Sequence, residues 1–271
     1  MTTIRVTDVL DKRLKVFSNL TNHQLRNRLD PKRGLLIAES EIAIRVALEE
    51  GVQPISFLLD ERKYQAMRDV LEGIPDEVPV YVLPPKEAER LTGFSVTRGA
   101  LCAMRRPCLP TVETILDDAR HVVVLEGMTD ASNVGSAMRN AAALGADAVL
   151  VAPNCADPLC RRAVRVSMGN VFRIPWCIVP RPWPADAMRL LGERGFVRVA
   201  LALEEDAKVL SKAGLGLDES SLVAVFLGTE GTGLTPEVIE ACDVSAIIPM
   251  AHGVDSLNVA SAGAIAMWEL F

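Results

Sequence analysis

Three stretches in the second half of the sequence combine polar or charged side chains with the smallest residues. The first, "SNVGSAMRNAAALGA", places Arg139 in an alanine-rich helical segment soon after a buried strand. A guanidinium in such a segment has to reach a carboxylate, a phosphate or solvent. A structural ion pair and contact with a ligand both satisfy that need, so Arg139 is a candidate functional residue.

The second stretch, "LGTEGTGL", follows an apolar run and combines Gly228, Gly231 and Gly233 with Glu230. Glycines after a strand permit close approach of the backbone to a ligand. The spacing is not that of a P-loop, no lysine follows, and a carboxylate among the loop amides opposes an anion. The stretch predicts either a site for a neutral or cationic ligand or a tight turn with an exposed glutamate.

The third stretch, "DSLNVASAGAIA", sets Ser256 and Asn258 at the start of a helix made of very small apolar residues. Polar groups removed from water cost about 1–3 kcal/mol each unless they find partners. One interpretation is structural, with Ser256 as the N-cap and Asn258 bonded to loop backbone. The other is that both side chains bind a ligand.

Composition excludes several classes of protein. The 271 residues are 49% hydrophobic with a net charge of −6, and no apolar run is long enough to cross a membrane, so we expect a globular cytoplasmic protein. Six cysteines without a C-x-x-C pair and only three histidines indicate reduced structural thiols and no metal site.

Alternating apolar runs and helical stretches predict an α/β fold in two parts. We expect a smaller α/β domain at 1–105, a proline-containing linker at 106–119, and a domain at 120–271 with a parallel sheet covered on both faces. The strands of that second domain are predicted at 121–126, 147–152, 171–179, 196–203, 221–227 and 244–249.

The first 35 residues are locally basic, which is typical either of RNA contact or of a solvated helix face. The basic residues are Arg5, Lys12, Arg13, Lys15, Arg26, Arg28, Lys32 and Arg33.

Taken in order, the three stretches resemble the signature motifs of the SpoU/TrmH group of RNA ribose 2′-O-methyltransferases, in the SPOUT superfamily. The first resembles N-x-G-x-x-x-R (Asn133, Gly135, Arg139), the second L-G-x-E-G-x-G (Leu227, Gly228, Glu230, Gly231, Gly233), and the third I-P-M followed by S-L-N-V (Ile248, Pro249, Met250, Ser256, Leu257, Asn258, Val259). The resemblance covers about residues 120–271, and residues 1–105 more loosely resemble an L30e-like substrate-binding domain.

The resemblance implies a deep trefoil knot, S-adenosylmethionine as methyl donor without a metal, and a homodimer with active sites at the subunit interface. The implied catalytic residues are Arg139, Asn133, Glu230, Ser256 and Asn258, and the implied cofactor-binding residues are Leu227, Gly228, Gly231, Ile248, Met250 and Leu257. A guanidinium is a poor general base, so we expect Arg139 to orient the nucleotide and stabilise the developing alkoxide.

The L30e-like domain favours ribosomal RNA over transfer RNA as the substrate. The alternatives are a transfer RNA 2′-O-methyltransferase and a catalytically silent RNA-binding relative. A dinucleotide-dependent enzyme of Rossmann type would require a G-x-G-x-x-G turn after an early strand, and the sequence has none.

Overall fold

The computed structural model describes residues 2–6, 8–18, 34–93, 96 and 99–271. The chain forms two compact units, one of Met1–Cys108 with Leu159–Arg173 and the other of Leu109–Pro158 with Ile174–Phe271. Of the predicted basic segment, Arg26, Arg28, Lys32 and Arg33 lie outside the described residues. No helix among the described residues is long and apolar enough to span a membrane.

The first unit is built on a mixed sheet. Its strands, as far as they are described, are β1 (Thr2–Arg5), β2 (Leu35–Glu39), β3 (Pro54–Leu59), β4 (Pro79–Val82) and β5 (Ala100–Arg105), in the order β1-β4-β3-β5-β2. β5 is antiparallel to both of its neighbours, and the other pairs are parallel. The helices are α1 (Glu41–Glu49), α2 (Glu61–Ala66), α3 (Arg68–Glu72), α4 (Pro85–Thr92) and a 3₁₀ helix (Lys12–Phe17).

Residues 159–173 belong to the first unit, although the strands before and after them in the chain belong to the second. They form α7 (Arg161–Val166) and a 3₁₀ helix (Asn170–Phe172). The Glu39 carboxylate at the end of β2 is fully buried and accepts hydrogen bonds from Arg161 and, at 3.2 Å, from Arg165. Gly169 (φ +84°) lies so close to α1 that an added Cβ would be 2.9 Å from the Val46 Cβ. Residues far apart in sequence therefore complete this unit.

The second unit, described throughout, contains an entirely parallel sheet, as the continuous apolar runs predicted. Its strands are β6 (His121–Leu125), β7 (Ala148–Val151), β8 (Trp176–Ile178), β9 (Phe196–Leu201), β10 (Lys208–Val209), β11 (Leu222–Leu227) and β12 (Val244–Ile247), in the order β10-β12-β9-β11-β6-β7-β8. The helices are α5 (Val112–Leu116), α6 (Ala131–Ala143), α8 (Ala185–Glu193), α9 (Lys212–Leu215), α10 (Pro236–Ala241) and α11 (Val259–Leu270).

Two segments differ from the sequence-based expectations. The strand predicted at 171–179 is wrong over its first part: residues 170–172 form the 3₁₀ helix and only Trp176–Ile178 pairs with β7. The segment predicted as a linker contains α5, whose Val112, Ile115 and Leu116 are buried in the core of the second unit. The L30e-like nature of the first domain and the trefoil knot stay predictions.

Candidate active site

The loop between β6 and α6 carries the first motif. Asp130 is the N-cap of α6, because its carboxylate accepts a hydrogen bond from the Ser132 amide at 2.8 Å. Asn133 lies in the first turn and Arg139 further along the same helix. The Arg139 side chain is exposed and makes no ion pair with any residue that the structure describes, so the structural ion pair considered from the sequence is not found.

The second motif forms a closed turn after β11. Thr229 and Gly233 exchange two backbone hydrogen bonds of 3.1 Å each. Gly228 is packed so closely against the returning chain that an added Cβ would lie 2.2 Å from the Gly233 carbonyl carbon. Gly231 and Gly233 adopt φ values of +91° and +71°, which favour glycine. This turn therefore requires its glycines for both space and backbone conformation.

The third motif leads from β12 into the last helix. The N-cap of α11 is Asn258, whose Oδ1 accepts hydrogen bonds from the amides of Ala260 (3.0 Å) and Ser261 (3.4 Å). The interpretation of Ser256 as the N-cap was therefore wrong: the helix starts later than the sequence suggested, and Ser256 lies in the exposed loop before it. Asn258 combines the structural role with a second one.

The Asn258 side chain joins the three motifs. Its Nδ2 donates to Asn133 Oδ1 at 3.0 Å and to the Glu230 carboxylate in a very short hydrogen bond. One amide group thus caps α11 with its oxygen and bonds the first and second motifs with its nitrogen. Residues from three separate parts of the chain meet here because β6, β11 and β12 end at the same edge of a parallel sheet.

A pocket of about 710 Å³ lies beside this junction within the second unit. All six residues expected to bind the cofactor line it, and so do three expected catalytic residues: Leu227, Gly228, Gly231, Ile248, Met250, Leu257, Glu230, Ser256 and Asn258. Asn133 and Arg139 are not among the lining residues, and Asn133 is connected through Asn258. The charged side chains that line the pocket, Glu204, Glu230 and Asp255, are all acidic.

The small residues of α11 permit close packing on the pocket wall. A Cβ added to Gly263 would lie 2.6 Å from the Leu227 Cδ1, and Ala262 lines the pocket itself. Asn140 of α6 donates to the Ala260 carbonyl at 2.8 Å and holds the first turn of α11. The helix could not approach β11 in this way with larger side chains.

Sequence reasoning missed Glu126, the residue that follows β6. Its side chain is only 2% exposed, yet it carries a carboxylate. The carboxylate accepts hydrogen bonds from Trp183 Nε1 (2.7 Å) and from the amide and hydroxyl of Thr235 (2.9 and 3.0 Å). The signal in the sequence was an acidic residue that directly continues the apolar run "HVVVL".

The described residues contain no group of three or more histidine, cysteine or acidic side chains arranged to hold a metal. All six cysteines are free. Burial raises the pKa of Cys155, next to the first motif, to about 11, and its thiol donates to the Leu125 carbonyl at 3.2 Å. This thiol is a structural hydrogen-bond donor rather than a nucleophile at neutral pH.

Comparison with known proteins agrees with the three motifs. Residues 120–268 match the model of the SpoU rRNA Methylase family. An uncharacterized tRNA/rRNA methyltransferase of Mycobacterium tuberculosis is 38% identical over 264 residues, which cover 97% of this chain and 90% of that protein. The 23S rRNA (guanosine-2′-O-)-methyltransferase RlmB of Acinetobacter baylyi is 30% identical over 79% of this chain and 86% of its own length.

The fold is similar to that of a solved rRNA methyltransferase. The AdoMet-bound rRNA methyltransferase of Sinorhizobium meliloti superimposes with a TM-score of 0.78 over 98% of this chain and 97% of its own, at 24% identity. The family match covers more than half of the chain and includes all three motifs. The chain therefore belongs to the SpoU rRNA methylase family, as the resemblance of its motifs predicted.

Proposed function

We propose that this protein transfers a methyl group from S-adenosylmethionine to a ribose 2′-hydroxyl of ribosomal RNA. The S–CH₃ bond breaks as the O–CH₃ bond forms, S-adenosylhomocysteine leaves, and the hydroxyl proton is released to solvent. The observation that carries the proposal is the Asn258 side chain, which joins Asn133 and Glu230 at the rim of the 710 Å³ pocket. A pocket for the methyl donor and a polar cluster for the acceptor are thereby brought together in one unit.

The chemistry of the pocket fits this donor. S-adenosylmethionine supplies a methyl group on a positively charged sulfonium. Three acidic side chains and no basic ones line the pocket, which favours a cation and opposes the pyrophosphate of a dinucleotide. Backbone groups near Gly228 and Gly231, together with Leu227, Ile248, Met250 and Leu257, would hold the adenosine and methionine parts.

The residues of the chain act mainly by positioning, since an in-line displacement at a methyl carbon depends on alignment of the reacting atoms. Arg139 is exposed and has no carboxylate partner among the described residues, so its charge is available to RNA. It would orient the nucleotide through a phosphate and stabilise the alkoxide that develops on the ribose. Glu230, Ser256 and Asn258 would shape the space around the acceptor.

Ribosomal RNA is the favoured substrate for two reasons. The A. baylyi relative is named a 23S rRNA methyltransferase, and the L30e-like character expected for the first unit belongs to proteins that bind ribosomal RNA. The M. tuberculosis relative is named for both RNA classes. Transfer RNA is therefore the alternative substrate that has to be compared with ribosomal RNA.

The protein is also proposed to act as a homodimer. Support comes from α11, where Ile265 is 41% and Trp268 79% exposed. Residues three positions apart lie on the same face of a helix, so these two side chains form one apolar patch, and aromatic residues are enriched at protein–protein interfaces.

The test is transfer of labelled methyl groups from S-adenosylmethionine to unmodified ribosomal and transfer RNA, followed by digestion to nucleosides. We expect a 2′-O-methyl nucleoside from ribosomal RNA with the wild type and its loss in Arg139→Ala. Arg189→Ala, an exchange of an exposed arginine of α8 that lies outside the pocket, the motifs and the first unit, is the matched control and should retain transfer. A base-methylated product, or transfer that is undiminished in Arg139→Ala, would contradict the proposal.

A further inference from the structure

Glu126 forms hydrogen bonds with the residues on both sides of the glycine turn of the second motif. Its backbone amide donates to the Leu227 carbonyl at 2.9 Å, just before the turn. Its carboxylate accepts from the amide and the hydroxyl of Thr235, just after the turn. The intervening residues 228–234 include Gly228, Glu230 and Gly231, which line the pocket.

The contact uses both side-chain oxygens of Glu126 as hydrogen-bond acceptors. One oxygen accepts from both Trp183 Nε1 and Thr235 Oγ1, and the other accepts from the Thr235 amide. All three donors are neutral. A buried carboxylate with neutral partners is costly to desolvate, and an apolar side chain would instead leave the donors unpaired. A glutamine has the same size, but its NH₂ group would face one of these donors.

Thr235 shows that the contact governs the turn rather than the helix that follows it. Thr235 is the N-cap of α10, a position where the side-chain oxygen ordinarily accepts from a helix amide. Here it makes no such hydrogen bond, and its hydroxyl donates to Glu126 instead. The capping interaction is replaced by one that fixes the end of the glycine turn.

We propose that Glu126 is a positioning residue for methyl transfer, which holds the turn 228–234 in the conformation that receives S-adenosylmethionine and places Glu230 against Asn258. The proposal rests on the proposed function, since it assumes that the pocket binds this methyl donor. Glu126 itself is not among the residues that line the pocket. It acts through the backbone of the turn.

The experiment measures binding of S-adenosylhomocysteine to the full-length protein by calorimetry and the kinetics of methyl transfer. In Glu126→Gln we expect Kd and the KM for S-adenosylmethionine to rise about tenfold or more, because a buried pair of hydrogen bonds is disrupted. The KM for RNA should stay unchanged. A merely destabilised enzyme would instead contain fewer active molecules and show a lower apparent kcat at unchanged KM.

Asp147, an exposed residue just before β7, offers a control because its carboxylate binds the opposite end of β6 from Glu126. Its carboxylate accepts from the amides of Arg120 and His121 at 2.8 and 2.9 Å. Asp147→Asn also replaces a carboxylate that accepts backbone hydrogen bonds, and we expect it to retain wild-type affinity. If Glu126→Gln does not fold, Thr235→Val removes only the hydroxyl donor and should weaken binding, whereas Thr235→Ser should restore it.

Hydrogen exchange separates this proposal from the proposed function. Without any ligand, the amides of Thr229, Gly233 and Thr235 should exchange faster in Glu126→Gln than in the wild type or Asp147→Asn. Unchanged exchange at these amides, or an unchanged KM for S-adenosylmethionine in a folded Glu126→Gln protein, would overturn the proposal. If the wild type bound no S-adenosylhomocysteine, the proposed function would fail, and the exchange rates would still decide whether Glu126 holds the turn.

Discussion

Asn258 Nδ2 lies 3.0 Å from Asn133 Oδ1, although the two residues are 125 positions apart in the chain. The same nitrogen donates to Glu230, and the oxygen of the same amide caps α11. A single side chain therefore connects the geometry of the last helix to that of the polar cluster beside the pocket.

The two functions of Asn258 can be separated by substitution. Asp at this position keeps the capping oxygen but replaces the donor by an acceptor beside the Glu230 carboxylate, where like charges repel. We expect Asn258→Asp to lower methyl transfer at least about tenfold at a small cost in stability. Asn258→Ala should lose transfer and also about 1 kcal/mol of capping energy, measured by denaturant unfolding. Wild-type transfer by Asn258→Asp would show that the donor has no role.

Gly228 is expected to tolerate no side chain. In Gly228→Ala the new methyl group would meet backbone atoms of Gly233 and Leu234 at 2.2–2.3 Å, which cannot move as a flexible side chain could. The expected cost is about 2 kcal/mol or more, with loss of cofactor binding. Gly192→Ala is the control, because its nearest neighbour is the Arg198 side chain at 3.6 Å and it lies in α8. It should raise the free energy of unfolding by about 0.5 kcal/mol. Equal effects of the two substitutions would refute the steric argument.

Substitution of Glu39 and of Glu49 tests how strongly burial affects the stability that an ion pair contributes to the first unit. Both pair with arginines of residues 159–173, but Glu39 is fully buried whereas the Glu49 side chain is 60% exposed. Glu39→Gln should cost about 3 kcal/mol, because it removes the buried counter-charge of Arg161, whose side chain is only 15% exposed. Glu49→Gln should cost less than about 1 kcal/mol. Urea unfolding of both variants measures the difference, and similar losses would be inconsistent with this prediction.

The Arg198–Asp243 pair predicts a pH dependence of stability. Hydrogen bonds from Arg198, the shortest of them 2.6 Å, hold the pKa of Asp243 below its usual range. A carboxyl group whose pKa is lower in the folded state stabilises the protein above its unfolded pKa and loses that contribution as the pH falls through the folded value. Asp243→Asn should therefore cost about 0.5–1 kcal/mol at pH 7, a value reduced by solvent screening.

The difference between wild type and Asp243→Asn should shrink as the pH falls below about 4, where the unfolded carboxyl group is protonated. Denaturant unfolding of both proteins at neutral and acidic pH gives this difference directly, and other titrating groups cancel in it. A difference independent of pH would show that the substitution acts through packing.

Much of the second unit could be predicted because its determinants are local. Continuous apolar runs such as "HVVVL" specify buried parallel strands, and a polar residue after such a strand lies at the ligand-binding edge of the sheet. The convergence of Asn133, Glu230 and Asn258 follows from that topology. Their hydrogen bonds do not, since the donor of one residue and the acceptor of another depend on loop conformations that no single stretch encodes.

The features that sequence reasoning missed depend on partners far away in the chain. Glu126 and Glu39 both follow or end apolar strands, and periodicity alone suggests that such carboxylates face solvent. Each is buried because its donors come from residues that are distant in sequence, Trp183 and Thr235 for Glu126, Arg161 and Arg165 for Glu39. For the same reason, residues 171 and 172 were predicted as the start of a strand, although they belong to a 3₁₀ helix that follows Gly169, which packs against α1.

The inclusion of residues 159–173 in the first unit also determines the order in which the protein can mature on the ribosome. Domains ordinarily fold as soon as their own residues have emerged. Here Glu39 obtains its two arginines only after Arg161 and Arg165 have been synthesised, when β6 and β7 of the other unit have already been made. The amino-terminal half therefore cannot reach its final packing during its own translation, and a nascent chain arrested before residue 159 would carry an unpaired glutamate in an incomplete core.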